Sequence, residues 1–282
     1  MQVSVLLWGR EGTGKTTDAL RLTEVGPGRV ILVNAEAGAK KEALARHGID
    51  TSRIDVWPSE EQGPGWITYE HIEAEVIDPL REMLEADPNA VVGVIIDSFT
   101  EVARRVLERV SAEAMEKAMR LGKNRDRWQV DLADHGVAAS QMRSLLRRFR
   151  DLPCHLVITA LERRDVDSDG GGVTYGPAMG PSVATDTMGL VDLVGFAAVE
   201  LVGGEEFRTA TFTPTATRRA KDRYGLLPIT MVDPFMDRIV DYVGGTLTRE
   251  NDPARKRLLD AVNAAASNVP TAEAATPKGK VK

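Results

Sequence analysis

Residues 9–16 read GREGTGKT, a complete G-x-x-x-x-G-K-[ST] phosphate-binding loop. The loop follows an apolar run at residues 3–8 with the pattern of a buried strand, and it precedes residues that begin a helical pattern. Glycines in such a loop let successive backbone N–H groups approach a phosphate chain, and the helix that follows adds a positive dipole. Because strand, loop and helix occur in the required order, we predict a nucleoside triphosphate site rather than a chance glycine-rich turn.

The loop and a second motif give roles to individual residues. Lys15 would reach the outer phosphates, and the Thr16 hydroxyl would complete a Mg²⁺ shell. The apolar run at 91–96 ends in Asp97, which would accept a hydrogen bond from Mg²⁺-bound water beside Thr16. Many strands end in aspartate, so this assignment depends on the loop. The predicted metal residues are Thr16 and Asp97, and the predicted nucleotide contacts are Gly9, Arg10, Glu11, Gly12, Thr13, Gly14, Lys15, Thr16 and Thr17.

Composition narrows the class of protein. Of the 282 residues, 43% are hydrophobic, which suffices for a large core, and the formal net charge of −6 gives no overall attraction to nucleic acid. Residues 101–150 carry excess arginine and lysine, which fits either solvated helix faces or a polyanion-binding face. Cys154 is the only cysteine, which excludes internal disulfides and cysteine metal sites. Without a signal segment or a membrane-length apolar run, we expect a cytoplasmic protein with no membrane partner.

Short apolar runs alternate with longer amphipathic ones, which predicts an α/β fold with a mainly parallel sheet flanked by helices. The predicted strands are 2–8, 29–33, 53–57, 91–96 and 154–160, and the predicted helices are 15–24, 39–47, 68–86, 98–120 and 128–150. After residue 162 the pattern changes.

Residues 163–189 are rich in Asp, Gly and Pro and predict a long polar loop. Apolar runs at 190–202 and 207–212 flank Gly203-Gly204 and predict a β-hairpin that extends the sheet. Helical patterns follow at 234–243 and 253–266. We therefore predict an ATPase core over 1–245, a C-terminal helix over 246–266 and a disordered basic tail over 267–282.

The chain resembles the RecA-type recombinase ATPases. The resemblance is carried by Asp97-Ser98 at the end of one strand and by the stretch ILVNAEAG at residues 31–38, which closes another. In that family the acid after the second strand activates water for attack on the γ-phosphate. The resemblance therefore implies that Glu36 is the general base. The alternative is an ordinary acid stabilised by a helix N-terminus.

A further match lies in the stretch RRAKDRYG at residues 218–225, which resembles the Lys-x-[Lys/Arg] segment of RecA-like filaments. In those filaments the segment crosses the subunit boundary onto a neighbour's ATP. Lys221 and Arg223 would then stabilise charge on the γ-phosphate in trans, as further catalytic residues, and hydrolysis would require assembly. The alternative is a basic turn after the hairpin.

The resemblance also implies a DNA contact. In RecA-like folds, the loop after the strand with a polar sensor, here Thr159 or Ala160, contacts single-stranded DNA. Arg163 and Arg164 would contact phosphates there, and Tyr175 would stack on a base. Aspartates in the same loop argue against simple charge-driven binding. These aspartates, Asp165, Asp167 and Asp169, could instead ligate Ca²⁺, although the glutamate that an EF-hand requires is missing.

Over residues 2–245 the chain looks similar to phage-encoded RecA-like single-strand annealing proteins of the Sak-four type. This implies ATP hydrolysis with Mg²⁺, stimulated by single-stranded DNA and by self-association into a ring or filament, in annealing or homologous recombination. A single-strand-binding protein is an implied further partner, and the cytoplasm of a bacterial host is the implied location. The alternative is a nucleotide-dependent switch or assembly ATPase that acts on a protein partner without DNA. A small-molecule kinase would need a lid arginine set, which the sequence does not offer.

Overall fold

The apolar runs of the N-terminal half form the strands of a central sheet. The structure is a computed structural model that describes residues 1–126, 129–166 and 172–267. The first four predicted strands lie within two residues of their predicted bounds. The strands are β1 (Ser4–Gly9), β2 (Arg29–Asn34), β3 (Ile54–Trp57), β4 (Val91–Asp97), β5 (His155–Val166), β6 (Val173–Pro177), β7 (Leu193–Val202), β8 (Glu205–Thr211), β9 (Lys221–Asp222) and β10 (Thr230–Val232).

Some of the helices begin at a residue whose side chain accepts a hydrogen bond from a free N–H group. The Thr68 side chain accepts a hydrogen bond from the His71 N–H, and Ser98 accepts one from Glu101 in the same way. The α-helices are α1 (Lys15–Leu20), α2 (Lys41–Arg46), α3 (Tyr69–Ile72), α4 (Asp78–Ala86), α5 (Phe99–Arg120), α6 (Leu132–Arg150), α7 (Pro181–Leu190), α8 (Met236–Gly244) and α9 (Pro253–Ser267).

The predicted continuous helix over 68–86 is interrupted by a π-helical turn at Glu73–Ile77. Pro79 explains the interruption, since it has no N–H to donate and its ring would clash in a regular helix. The preceding N–H, that of Asp78, instead reaches back five residues to the carbonyl of Glu73. The turn at 73–77 thus accommodates the proline while the helix keeps its direction.

The strand order places the ends of several parallel strands around the phosphate loop. The order is β10-β8-β7-β1-β5-β4-β2-β3, in which β7, β1, β5, β4, β2 and β3 run parallel. β8 runs antiparallel to β7, and β10 runs antiparallel to β8. Because β5 lies between β1 and β4, one strand lies between the strand that leads into the phosphate loop and the strand that ends in Asp97. Helices α3–α7 cover one face of the sheet, and α1, α2 and α8 cover the other. The α/β fold with a mainly parallel, helix-flanked sheet is confirmed.

The prediction of a loop over 163–189 is wrong. Strand β5 continues to Val166 and pairs antiparallel with β6, and α7 follows from Pro181. The polar residues conceal the hairpin because it projects beyond the apolar core, so its side chains need no hydrophobic alternation. Asp165 belongs to β5, whereas Asp167 and Asp169 lie outside the described residues.

The predicted C-terminal hairpin is confirmed as β7 and β8. Gly203 and Gly204 form its turn with φ values of +61° and +85°, a conformation that favours glycine. The first part of β7 also pairs with β1, so this strand belongs to the core as well as to the extension.

The end of the described chain is joined to the core. The buried carboxylate of Asp252, just before α9, accepts hydrogen bonds from Tyr242 Oη at 2.7 Å and from the Arg238 guanidinium. These contacts cross the predicted boundary at 245. The predicted tail over 267–282 lies, apart from Ser267, outside the described residues. No helix in the described ranges has the length and apolar character to span a membrane.

Candidate nucleotide-binding site

The phosphate loop joins β1 to α1 in a conformation that depends on its glycines. Gly12 and Gly14 have φ values of +73° and +88°, which other residues rarely adopt. Gly9 meets a different constraint, because a Cβ there would lie 2.2 Å from the carbonyl oxygen of Ala197 on β7. The residue types of the motif are thus required by the backbone around them.

Lys15 is buried within the loop. Its Nζ donates hydrogen bonds to the carbonyl oxygens of Gly9 at 3.0 Å and Arg10 at 2.7 Å, and lies 3.4 Å from Thr13 Oγ1. Burial lowers the pKa of Lys15, while the negative charges of Asp97 and Glu36 oppose that shift. The nearby acids therefore favour the charged form of the ammonium.

Asp97 lies at the end of β4 and contacts two hydroxyl groups. Its Oδ2 accepts a hydrogen bond from Thr16 Oγ1 at 2.9 Å, and its Oδ1 accepts one from Thr159 Oγ1. Burial raises the pKa of Asp97, and these two hydrogen bonds oppose the rise. Of the two predicted sensor positions, Thr159 is the one whose side chain meets this carboxylate.

Glu36 is held beside Asp97 by backbone and side-chain contacts. The Asp97 carbonyl accepts hydrogen bonds from the N–H groups of Ala35 at 2.7 Å and Glu36 at 3.3 Å. The Ser98 hydroxyl donates to Glu36 Oε1. The turn after β2 is thereby fixed to the end of β4, and the exposed Glu36 carboxylate faces the same cleft as Lys15.

The resulting cleft has a volume of about 510 Å³. Six of the predicted nucleotide contacts line it: Glu11, Gly12, Gly14, Lys15, Thr16 and Thr17. The other three supply the oxygen atoms that surround the Lys15 ammonium: Gly9, Arg10 and Thr13. Glu36 and Asp97 also line the cleft, so the structure brings the predicted phosphate, metal and general-base residues together.

The donor set of the cleft fits a Mg²⁺-bound triphosphate. The hydroxyl of Thr16 and the carboxylate of Asp97 are hard oxygen donors 2.9 Å apart, beside the Lys15 ammonium. Within the described residues no group of three or more His, Cys, Asp or Glu side chains could hold a metal ion. Mg²⁺ commonly takes one or two protein oxygens together with waters and substrate phosphates, so these residues suffice for it.

His47, Leu161 and Arg208 also line the cleft and were not predicted from the sequence. Arg208 comes from β8 and lies with Nη1 3.1 Å from Oδ1 of Asp18. It belongs to no local motif, and its contacts with the loop join residues almost 200 positions apart. Only the hairpin prediction points towards it, because that prediction places β8 beside the core.

Lys221 and Arg223 lie away from this cleft in the same chain. Residues 221 and 222 pair with the first residues of β7, at the end of the sheet opposite the phosphate loop. Lys221 Nζ donates to the carbonyl oxygens of Met188, Gly189 and Val191, which end α7. Arg223 Nη1 donates to Asp192 Oδ1 at 2.7 Å. Within one chain Lys221 and Arg223 thus stabilise the turn between α7 and β7. Their action on a neighbouring subunit stays a prediction.

The predicted DNA residues lie on the β5–β6 hairpin. Arg163 donates to the carbonyl oxygen of Met179 and to Asp165, each at 2.8 Å, so its guanidinium is occupied. Arg164 is exposed, lies opposite Tyr175 across the hairpin, and forms no ion pair with another described residue. These two line a second cleft of about 610 Å³ together with Arg10, Glu11 and Glu162. Arg163 is therefore held by contacts within the chain, whereas the guanidinium of Arg164 is exposed and can meet a ligand.

Comparisons with known proteins give one structural match and one family match. Among solved structures, one match is the crystal structure of the RadB recombinase, with a TM-score of 0.43 and 16% sequence identity over 74% of this chain and 79% of that chain. A search of curated proteins finds no match. The profile of a family described as "AAA domain" matches residues 1–224, a range that includes the whole nucleotide cleft. The chain is therefore a P-loop NTPase and belongs to the AAA domain family.

Proposed function

We propose that this chain is a RecA-like ATPase that hydrolyses ATP with Mg²⁺, binds single-stranded DNA and promotes annealing or homologous recombination. We further propose that it is phage-encoded, acts in the cytoplasm of a bacterial host, and works as a ring or filament, with a single-strand-binding protein as a further partner. The observation that carries the ATPase proposal is the position of Glu36, which Ser98 holds beside Asp97 at the edge of the phosphate cleft.

The side chains around the cleft divide the reaction between them. Lys15 neutralises charge on the outer phosphates. Thr16 and Asp97 would hold Mg²⁺, which would supply further positive charge there. Glu36 accepts a proton from water as the water oxygen bonds to the γ-phosphorus and the bond from that phosphorus to the bridging oxygen breaks. The Ser98 hydroxyl fixes one oxygen of Glu36, which leaves the other free to orient water.

The charge variant Glu36→Gln tests the proposed base. We expect it to keep ATP affinity within about threefold and to lose at least about 100-fold in turnover, since it retains shape but accepts no proton. Turnover is measured as phosphate release with and without single-stranded DNA. Glu85→Gln on the exposed surface of α4 is the matched control and should behave as wild type. Turnover that survives in Glu36→Gln would show that another group is the base.

The proposal of DNA binding is supported by the continuity of β5. This strand carries Thr159, which contacts Asp97, and continues into the hairpin that presents Arg164 and Tyr175. Arginine can pair with phosphate and tyrosine can stack on a base, which suits single-stranded nucleic acid without sequence preference.

A second candidate function, a nucleotide-dependent switch without DNA, is favoured by the pairing of Arg163 with Asp165 and by the net charge of −6. The variants Arg164→Ala and Tyr175→Ala distinguish the two functions. For a DNA-binding protein we expect each to weaken binding of a labelled single-stranded oligonucleotide at low salt by about tenfold, and Arg164→Ala to reduce the salt dependence. Arg81→Ala on α4, outside the basic range 101–150, controls for net charge. A wild-type protein that does not retain the oligonucleotide would favour the switch.

A further inference from the structure

Arg208 is a cleft residue to which the proposed function gives no role. It projects from β8 onto the phosphate loop, where a Cβ on Gly14 would lie 2.9 Å from its Nη1 and 3.0 Å from its Cδ. Its guanidinium also lies over the ring of Phe235, 4.9 Å from the centroid. The side chain is thus held against the loop while its charged end faces the cleft.

The carboxylate of Asp18 also contacts the Arg208 guanidinium. Asp18 lies in α1, one turn after the loop, and its side chain is only 1% exposed. Neither carboxylate oxygen has a hydrogen-bond partner among the described residues, although Arg208 Nη1 lies 3.1 Å away. A buried carboxylate with so little compensation is costly. The pair therefore keeps a cation beside the loop at a cost to stability.

The strand order places this cation on one flank of the phosphate loop. Glu36 follows β2, Asp97 ends β4 and Thr159 lies on β5. These three strands are all on one side of β1. Arg208 lies on β8, two strands from β1 on the other side. A phosphate chain on the loop therefore has the proposed hydrolytic residues on one flank and Arg208 on the other.

We propose that Arg208 binds the α-phosphate of the nucleotide and that Asp18 is the positioning residue that holds its guanidinium there. The inference rests on the nucleotide binding that the proposed function includes, but it needs neither hydrolysis nor DNA. A guanidinium suits this position because its planar donors can form two hydrogen bonds with phosphate oxygens. Since ATP and ADP share the α-phosphate, Arg208 contributes equally to the affinity of both.

Calorimetric titration with Mg-ADP and with a Mg-bound non-hydrolysable ATP analogue tests the contact. We expect Arg208→Ala to weaken both ligands by about tenfold or more, as the loss of a charged hydrogen bond does. Arg208→Lys keeps the charge without the planar fork and should fall between this variant and wild type. Arg109→Ala, on the exposed face of α5, controls for net charge. Affinities within twofold of wild type, or a loss for the ATP analogue alone, would overturn the assignment.

A double-mutant cycle tests the role of Asp18. We expect Asp18→Asn to weaken both ligands in the wild-type background and to have no further effect in Arg208→Ala, because it acts through that guanidinium. An equal loss in both backgrounds would refute a positioning role. Thermal unfolding without nucleotide verifies that each variant folds. If Arg208→Ala does not fold, the cycle is repeated with Arg208→Lys.

Lys15→Ala separates this inference from the proposed function. If Lys15→Ala abolishes binding of both ligands while Arg208→Ala binds them normally, only the role of Arg208 is wrong. If Lys15→Ala also binds them normally, the nucleotide site itself is misplaced, and both proposals fail.

Discussion

Burial sets the charge of the residues around the phosphate loop. Lys15, Asp97 and Asp18 all lie in the interior, where the loss of water disfavours their charged forms. Lys15 and Asp97 compensate each other, and hydroxyl groups satisfy Asp97. Asp18 has less compensation, since Arg208 is its nearest cation and the charge of Asp233 works against ionisation. The stability of the protein near neutral pH should therefore depend on Asp18.

The variant Asp18→Asn tests this dependence. The pKa of Asp18 is about 7 in the folded protein against an ordinary value of 3.8, so the folded state binds a proton more tightly than the unfolded state. Stability from this group is present at low pH and is lost as the pH rises towards 7. From about pH 5 to about pH 8, we expect the variant to gain on the order of 3 kcal/mol relative to wild type.

Urea denaturation of both proteins across this pH range measures the difference. Other acids with raised pKa values, such as Asp97 and Asp237, are present in both proteins and cancel. Parallel curves of unfolding free energy against pH would contradict the prediction.

Local patterns were enough to predict some site residues but not others. Asp97 ends one apolar run, and Glu36 and Lys15 lie in the loops that follow two others. Parallel strands bring such positions to one edge of a sheet. The ion pair of Asp18 with Arg208 depends on how far the β7–β8 hairpin curves towards the loop, which no local pattern encodes.

At the scale of secondary-structure elements, the close contact between β1 and β7 fixes the shape of the site. β7 runs parallel to β1 with Trp8 opposite Phe196, and the carbonyl of Ala197 lies where a Cβ of residue 9 would be. The loop can therefore begin only where β1 ends in glycine. The hairpin that carries Arg208 is held against the loop by this same contact.

Gly9→Ala should consequently destabilise the protein. The added Cβ would lie 2.2 Å from a backbone oxygen, so β7 must shift, and we expect a loss of about 1–3 kcal/mol in unfolding free energy. Gly136→Ala is the matched control, because Gly136 lies within α6 with no atom within 4 Å of its added Cβ. We expect this control to stabilise the helix by up to about 1 kcal/mol. A neutral Gly9→Ala would show that β7 yields easily.

The elements that were predicted correctly differ physically from those that were missed. β1, β2 and β4 are buried on both faces and read as continuous apolar runs, whereas the β5–β6 hairpin is polar along its length. Its pairing depends on backbone hydrogen bonds between residues such as Arg164 and Tyr175, which leave no hydrophobic period in the sequence.

At the scale of the whole molecule, Lys221 and Arg223 lie at the opposite end of the sheet from the cleft that they are proposed to serve. Head-to-tail assembly would place that end of one subunit against the cleft of the next, since such interfaces join different surfaces of identical chains. In that arrangement each active site would contain residues from two subunits.

Mixing two inactive variants tests this arrangement. Lys15→Ala cannot hold ATP in its own cleft, and Arg223→Ala cannot act on a neighbour, so each should be nearly inactive alone. An equal mixture should regain activity at about a quarter of its interfaces if subunits combine at random. ATP turnover of the mixture is compared with that of the unmixed variants. No recovery, with both variants folded and assembled, would indicate that Arg223 only supports the turn through Asp192.

Thr159 and Arg164 lie five residues apart on β5, a separation of about 17 Å along an extended strand. If ATP binding at one end changes the affinity of the other end for single-stranded DNA, thermodynamics requires the reverse effect to be equally large. The factor by which ATP strengthens binding of an oligonucleotide must match the factor by which that oligonucleotide strengthens binding of ATP. DNA would then act as a cofactor for nucleotide retention as much as ATP acts as a cofactor for DNA retention.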